Sequence, residues 1–303
     1  MDDINFKELE CTDKEVFDEY FGSRYCENAE YTFTNLYMWR EMLNLQWAVD
    51  DDVLYIFSSN EETFAAWQPI GSQDKMHDAI TKILQTAEQL RGGKEFMFVV
   101  VEKIFADELE KYPNAKFNIT ADRDNFDYVY LAQDLINLSG RKFHGKKNHL
   151  NAFKKEYPDA KYLPITEEII PKCREELNLW YKEHKRANPD DPFIGYEQAA
   201  IHEIFDHFDA FKLKGGAILI DNRVVAFTFG EKLNSDTAVI HVEKADPTVR
   251  GIYVAINQAF VENEWSDMIY INREEDMGID GLRQAKESYR PIKMIEKFNA
   301  TLA

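Results

Sequence analysis

The chain has 303 residues, 45% hydrophobic and 30% charged, a length and balance that suit two globular domains and exclude a disordered chain. Its formal net charge of −19 repels DNA and anionic membranes at long range, so we expect no DNA partner. The three scattered cysteines match no disulfide framework or zinc spacing. With an acidic N-terminus and no long apolar run, the sequence predicts a cytoplasmic protein without a signal peptide or transmembrane segment. No pattern specifies an oligomeric state.

The first half of the chain is predicted to place helices around a set of strands. Apolar spacing and turn signals predict, in order, helices over 12–21 and 31–43, strands over 45–50, 53–58 and 63–69, a helix over 73–91, a strand over 96–101, a helix over 102–111 and a strand over 127–131. Residues 132–158 follow as a helical connector. Its basic segment 141–155, RKFHGKKNHLNAFKK, either clamps a phosphate-bearing donor or forms a solvated helix face.

The second half repeats a similar order of elements. The sequence predicts a strand over 160–166, helices over 167–187 and 196–212, a hairpin turning at Asp221-Asn222, a strand over 237–244, a helix over 249–264, a strand over 268–272, a helix over 279–289 and a strand over 292–299. This order indicates an α/β fold with mixed sheets (α+β) and helices on both faces. We predict two tandem domains, a degenerate one over 1–131 and one over 159–303 that carries the site.

The segment 237–253, TAVIHVEKADPTVRGIY, carries the clearest signal for ligand binding. A strand ends, and Arg250-Gly251 opens a helix, whose free N–H groups and dipole attract phosphate. Because glycine lets an anion approach the main chain, residues 250–253 (Arg250, Gly251, Ile252 and Tyr253) are the predicted donor-binding residues. An arginine and a glycine at a helix start also occur as ordinary turn chemistry.

This segment resembles the acyl-CoA loop of the GNAT acetyltransferases, keeping Pro247-x-x-Arg250-Gly251 but placing Tyr253 where a small residue is usual. Longer strings resemble the C-terminal domains of phosphatidylglycerol lysyltransferases: YTFTNLYMWRE, HVEKADPTVRGIYVAINQAF, INREEDMGIDGLRQAKESYRP and LSGRKFHGKKNHLNAFKK. The resemblance implies tandem GNAT-like domains related to Fem-type aminoacyltransferases, which use aminoacyl-tRNA. We therefore expect aminoacyl-tRNA or an acyl-CoA as the donor, and no tightly bound cofactor.

Acyl transfer needs a base for the nucleophile and an acid for the leaving group. His241 and Glu243 share one strand face by two-residue alternation, and either can act as the base, directly or through water. Tyr289 resembles the tyrosine that serves as the acid in many GNAT enzymes. The alternative is a solvated strand face and a core tyrosine.

Four further residues are candidate substrate contacts. Lys244 lies on the opposite strand face, and Asn272, Arg273 and Asp276 follow a strand at the edge where ligands gather in open α/β sheets. An ordinary charged loop is the alternative for the last three. His202, Asp206 and His207 lie close together on one helix, but no second ligand cluster accompanies them, so we predict no metal site.

The predicted function is an acyl- or aminoacyltransferase that transfers its group to an amine or hydroxyl acceptor. The first alternative is a non-catalytic module of the same fold that recognises a small anionic or amino-acid-bearing ligand, which Tyr253 favours by crowding the donor loop. The second is an acidic interaction scaffold with no small-molecule site, which the absence of a cleft between strands 237–244 and 268–272 would favour.

Overall fold

The computed structural model describes residues 4–187 and 193–303. Its strands are β1 (Lys7–Glu8), β2 (Gln46–Asp50), β3 (Val53–Ser59), β4 (Thr63–Ala66), β5 (Glu95–Val101), β6 (Phe117–Ala121), β7 (Asp127–Leu131), β8 (Lys161–Pro164), β9 (Lys214–Ile220), β10 (Arg223–Lys232), β11 (Thr237–Ala245), β12 (Tyr270–Asn272), β13 (Lys293–Ile295) and β14 (Phe298–Leu302). Its helices are α1 (Lys14–Gly22), α2 (Phe33–Leu43), α3 (Met76–Leu90), α4 (Lys103–Lys111), α5 (Ala132–Asn137), α6 (His144–Glu156), α7 (Ile170–Ala187), α8 (Phe193–Asp206), α9 (Ile252–Glu264) and α10 (Asp280–Glu287). None of the helices within those two ranges combines the length and apolar character needed to cross a bilayer.

Two hairpins form, one at the predicted turn Asp221-Asn222 and one between the predicted strands 45–50 and 53–58. Asp221 and Asn222 join β9 to β10 with φ values of 49° and 64°. Asp51 and Asp52 join β2 to β3 with φ values of 49° and 55°. Aspartate and asparagine tolerate this left-handed conformation, and a two-residue turn with both φ values positive matches the twist of the flanking strands.

The chain divides into two compact units, residues 1–126 with 295–303, and residues 127–294. The first unit contains a sheet of order β1-β2-β3-β4-β5-β14-β6, and the second a sheet of order β8-β9-β10-β11-β12-β7-β13. In both sheets the first three neighbouring pairs are antiparallel and the fourth, β4–β5 or β11–β12, is parallel. The predicted mixed-sheet α/β fold and its repetition are therefore confirmed.

The observed division of the chain differs from the predicted domain boundaries. β7 pairs with β12 in the second unit, although it was expected to complete the first domain. Conversely, β14 pairs with β5 and β6 in the first unit. The predicted single strand over 292–299 is wrong, because β13 and β14 belong to different sheets. The residues of a strand indicate locally that it is a strand. They do not indicate which distant strand it pairs with.

Helix α9 is the central helix of the second unit's core. It contacts β9, β10 and β11, and the helices α5 and α6 from the predicted connector pack against it. Ile252, Ile256 and Phe260 on α9 are almost fully buried. Residues on other faces of α9 are buried as well, so the helix is held rigidly and forms a fixed frame with the strand before it: Val254, Ala255, Asn257, Gln258 and Val261.

Candidate functional site

The candidate site of the second unit lies where β11 and β12 separate. Their parallel pairing ends at Val239 and Asn272, while β11 continues to Ala245. After β12 the chain follows β7 instead, since the Arg273 N–H donates to the Tyr128 carbonyl at 2.9 Å. β11 and β12 therefore separate here, as expected for an acyltransferase and not for the scaffold alternative.

Glu243, Arg273 and Tyr289 come together at this separation. The Arg273 Nη2 donates to both carboxylate oxygens of Glu243, at 3.2 and 3.3 Å. The Arg273 guanidinium lies 4.7 Å from the centroid of the Tyr289 ring. Asn257 on α9 donates to Glu243 Oε2 at 3.2 Å. A carboxylate, a guanidinium and a phenol, each predicted separately, therefore form one largely buried cluster.

The cluster retains hydrogen-bonding groups without partners. Arg273 Nη1 and Asn257 Oδ1 are both buried and have no hydrogen-bond partner. Such groups cost free energy unless water or a ligand meets them. The Asn257 orientation follows from chemistry, because its oxygen would repel Glu243 if the amide were flipped. The site thus offers a donor and an acceptor next to the same carboxylate.

Lys146 also belongs to this cluster, although it was not among the predicted site residues. Its Nζ lies 3.8 Å from the centroid of the Tyr289 ring. Burial, reinforced by the nearby Arg273 charge, lowers the pKa of Lys146 to about 8. Its position four residues before the buried Leu150 places it on the inward face of α6, a signal in the sequence for its burial but not for its contact with Tyr289.

Tyr289 keeps its proton in this environment. Burial raises the pKa of its hydroxyl, although the Arg273 charge opposes that shift. Burial likewise raises the pKa of Tyr130, which donates to the Lys286 carbonyl at 2.8 Å. A protonated phenol beside a guanidinium can serve as a proton donor, which is the role predicted for Tyr289.

His241 lies apart from this cluster because the strand is irregular at that residue. The β10–β11 register jumps from Phe229–Val242 to Gly230–Ile240, so His241 is the extra residue of a β-bulge. The predicted two-residue alternation with Glu243 therefore does not apply. His241 Nε2 is 3.0 Å from a Glu231 oxygen, and Nδ1 is 2.7 Å from a Glu274 oxygen.

The environment of His241 favours a proton-bound imidazole. Burial alone would lower the pKa of His241, but its hydrogen bonds to Glu231 and Glu274 raise it to about 9. The ring is therefore an imidazolium at neutral pH, held between two carboxylates. It cannot accept a proton there, so Glu243 is the better candidate for the base.

Three predicted substrate contacts are engaged within the protein. Lys244 Nζ binds both carboxylate oxygens of Glu197, at 2.9 and 2.8 Å. Asn272 and Asp276 are fully buried. Asn272 donates to Asp127 at 3.0 Å, and Asp276 accepts from Arg283 at 2.8 and 2.9 Å. Asn272 and Asp276 thereby hold the loop that carries Arg273. Of the three substrate contacts predicted in this loop, Arg273 alone joins the cluster.

The start of α9 differs from the predicted donor loop. Gly251 has the left-handed φ of 80°, but a Cβ there would lie 2.4 Å from the carbonyl oxygen of His149 on α6. Glycine is needed here for helix packing rather than for ligand approach. Ile252 is in the core, Arg250 is exposed, and the Tyr253 hydroxyl lies 3.3 Å from the Ala245 carbonyl oxygen.

The candidate metal residues have other partners. Arg174 contacts His202 at 2.9 Å and Asp206 at 2.5 Å. Across the part of the chain that the structure describes, no three His, Cys, Asp or Glu side chains converge in a metal-binding arrangement.

The family model for the C-terminal region of phosphatidylglycerol lysyltransferase matches residues 24–301. The chain belongs to this family. A conserved protein of unknown function from Bacteroides thetaiotaomicron is 35% identical, with a TM-score of 0.90 and coverage of 99% of this chain and 100% of that one. The structure of L-PGS from Bacillus licheniformis is 13% identical, with a TM-score of 0.66 and coverage of 95% and 91%.

A tandem GNAT protein from the clavulanic acid biosynthesis pathway is 9% identical, with a TM-score of 0.53 and coverage of 99% of this chain and 98% of that one. These similarities confirm the tandem GNAT-like fold of this member of the phosphatidylglycerol lysyltransferase C-terminal family. At this coarse level, family and fold indicate an acyl- or aminoacyltransferase.

Proposed function

We propose that the second unit transfers an aminoacyl group from an aminoacyl ester, such as aminoacyl-tRNA, to an amine or hydroxyl acceptor. The observation that carries this proposal is the buried, unpartnered Nη1 of Arg273 beside the Glu243 carboxylate and the Tyr289 phenol. A fixed N–H donor in a dehydrated site is the group that stabilises the oxyanion of acyl transfer.

Glu243, Arg273 and Tyr289 each take one role in the proposed reaction. Glu243 accepts the proton of the attacking amine or hydroxyl, directly or through water, as a new bond forms to the donor carbonyl carbon. Arg273 Nη1 donates to the carbonyl oxygen as it becomes negative. Tyr289 protonates the ribose oxygen as the ester bond breaks. Solvent then returns the proton from Glu243 to Tyr289.

Two features favour an aminoacyl ester over an acyl-CoA. The space in front of Gly251, where an acyl-CoA phosphate would approach, is occupied by the His149 carbonyl of α6. The same helix and the turn before it expose a basic surface to solvent, made up of Arg141, Lys142, Lys147, Lys154 and Lys155. On a chain of net charge −19, such a local surface is suited to the phosphates of a large polyanionic donor.

A non-catalytic binding module is the second candidate function. Tyr253 favours it, because its ring stands at the start of α9, partly exposed, where a smaller residue would leave room for a donor. In that case the cluster would bind an aminoacyl group without transferring it.

Transfer from aminoacyl-tRNA tests the proposal directly. The full chain would be incubated with tRNA carrying a labelled lysyl or alanyl group, together with small amines or phosphatidylglycerol vesicles as acceptors. We expect enzyme-dependent movement of label to an acceptor, and a loss of about 100-fold or more in Arg273→Gln and Tyr289→Phe. Arg91→Gln, which changes a partly exposed arginine of the first unit, is the matched control.

Each other outcome has a defined meaning. Binding of aminoacyl-tRNA that depends on Arg273 but never yields product would establish the binding module. Turnover of acetyl-CoA that depends on Arg250 would reject the aminoacyl ester donor. An absence of binding and turnover with every donor would reject both functions.

A further inference from the structure

The first unit contains a polar cluster just beyond the point where its parallel strands, β4 and β5, stop pairing. In the first unit, parallel pairing of β4 and β5 ends at Ala66 and Phe98, and Val100, two residues later, has a φ of 48°. In the second unit, parallel pairing of β11 and β12 ends at Val239 and Asn272, and Glu274, two residues after Asn272, has a φ of 57°. A positive φ therefore occurs at equivalent residues of the two sheets.

Val100 is held in a costly conformation. A β-branched residue with positive φ is a genuine outlier, and such strain persists only where neighbouring groups enforce it. The Asn28 side chain donates to the Val100 carbonyl at 3.0 Å, and the Val100 N–H donates to Asn299 Oδ1 at 3.1 Å. Strain that two side-chain amides hold in place is typical of functional sites rather than of connecting loops.

Glu102, at the start of α4, is the centre of the cluster. Its carboxylate accepts hydrogen bonds from the Arg24 guanidinium and from the Gln68 side-chain amide. Gln68 Oε1 in turn accepts from the Glu102 N–H at 2.9 Å. The Arg24 and Glu102 side chains are 28% and 18% exposed, so solvent reaches the edge of this pair.

Two hydrogen-bond donors in the cluster have no acceptor. Arg24 Nε and the Tyr31 hydroxyl are both buried and without a partner. Arg24 Cζ lies 4.9 Å from the centroid of the Tyr31 ring, so the two residues are in contact. Burial keeps the Tyr31 hydroxyl protonated by raising its pKa. Arg24 and Tyr31 therefore place two unpaired donors next to each other, and buried donors of this kind are normally met by an acceptor.

We propose that this cluster is a second ligand site, which binds a free amino acid or a similar small zwitterion. The ligand carboxylate accepts from Arg24 Nε and the Tyr31 hydroxyl, and the ligand ammonium faces Glu102. A simple carboxylate would meet repulsion from Glu102, and a simple amine would meet repulsion from Arg24. A zwitterion presents the right sign to each.

The site binds its ligand without reacting with it. Cys26 is the nearest nucleophile, with its Sγ 3.3 Å from Glu102 Oε1. Burial, and next the Glu102 charge, raise the pKa of the Cys26 thiol. The thiolate needed for covalent chemistry is therefore suppressed.

Calorimetry and thermal denaturation of the full chain test this site. The probes are each of the standard amino acids, with sodium acetate and methylammonium chloride as single-charge controls at equal ionic strength. We expect saturable binding of at least one amino acid, no binding of acetate or methylammonium, and affinity weaker by about tenfold or more in Tyr31→Phe.

The melting temperature of the protein without added amino acid gives a second, independent measurement. Because the Tyr31 hydroxyl has no partner, Tyr31→Phe should raise the melting temperature of the ligand-free chain. Tyr128→Phe is the matched control: its hydroxyl donates to Asp276 at 2.6 Å, so its removal should lower the melting temperature and leave amino acid binding unchanged.

Three results would overturn the proposal. They are the absence of binding by any amino acid, equal binding by wild type and Tyr31→Phe, and a fall in melting temperature in ligand-free Tyr31→Phe. The last would mean that an ordered water already satisfies the hydroxyl. The assay needs no acyl donor, so its outcome is independent of transferase activity in the second unit.

Discussion

At the scale of single residues, His241 shows how two opposing effects set a charge. Removal from water favours the neutral ring, whereas Glu231 and Glu274 favour the cation and raise the pKa to about 9. Because this value exceeds the ordinary 6.5, the folded protein binds the proton more tightly than the unfolded chain. The resulting stabilisation is complete below pH 6.5 and disappears as the pH rises through about 9.

We therefore predict that His241→Gln is destabilised most at neutral and lower pH. The difference in free energy of unfolding from wild type should shrink by about 3 kcal/mol as the pH rises from 6.5 to 9.5. Urea denaturation across this range measures it. His77→Gln, at an exposed position on α3, controls for the loss of a histidine. A difference that does not vary with pH would contradict the assignment of the charge.

The residues of the candidate cluster were predictable to different degrees. Glu243, Arg273 and Tyr289 could be found because each stands next to a strand end or in a recognisable segment. Lys146 and Asn257 could not be assigned to the same site, since they lie on helices far from Arg273 in sequence. Only tertiary packing brings them together, and the β-bulge that removes His241 has no reliable sequence signal.

At the scale of secondary structure elements, the contact between α6 and the start of α9 has a strict steric requirement. Gly251 has a positive φ and no room for a Cβ next to His149. A side chain at residue 251 would be strained by the left-handed backbone and would also have to displace α6. Local patterns correctly predicted a helix start at this point, but they could not predict that a helix from the connector would cover it.

We predict that Gly251→Ala lowers the free energy of unfolding by about 2 kcal/mol or more. Gly145→Ala provides the matched control on α6 itself. It has nothing within 4 Å of the added Cβ, and it should gain about 0.5–1 kcal/mol from reduced chain entropy. Chemical denaturation of both variants gives the comparison. Equal stability of Gly251→Ala and wild type would show that the contact is not tight.

At the scale of the whole molecule, each sheet contains one strand that its sequence neighbours do not predict. β14 lies between β5 and β6 in the first unit, and β7 lies between β12 and β13 in the second. The buried Lys297, just before β14, also pairs with Glu30 at 3.0 Å. The order of elements could be predicted from the sequence. The sheet that each short apolar strand joins could not be predicted.

We predict that removal of residues 296–303 unfolds the first unit. Without β14, the edges of β5 and β6 lose their hydrogen bonds, and Glu30 loses its buried partner. Hydrogen exchange should show loss of protection in β5 and β6. Protection in β9 to β11 reports on the second unit, whose sheet is intact, and removal of Ala303 alone is the control. Unchanged protection in β5 and β6 would contradict the role of β14.

The position of β14 also has a consequence for synthesis on the ribosome. Residues 127–294 are contiguous and can fold as soon as they have emerged, whereas the first unit has to wait for residues 298–302. Translation normally lets the N-terminal domain finish first. In this chain the order is reversed, and the edges of β5 and β6 remain open to chaperones while more than half of the protein is still being made.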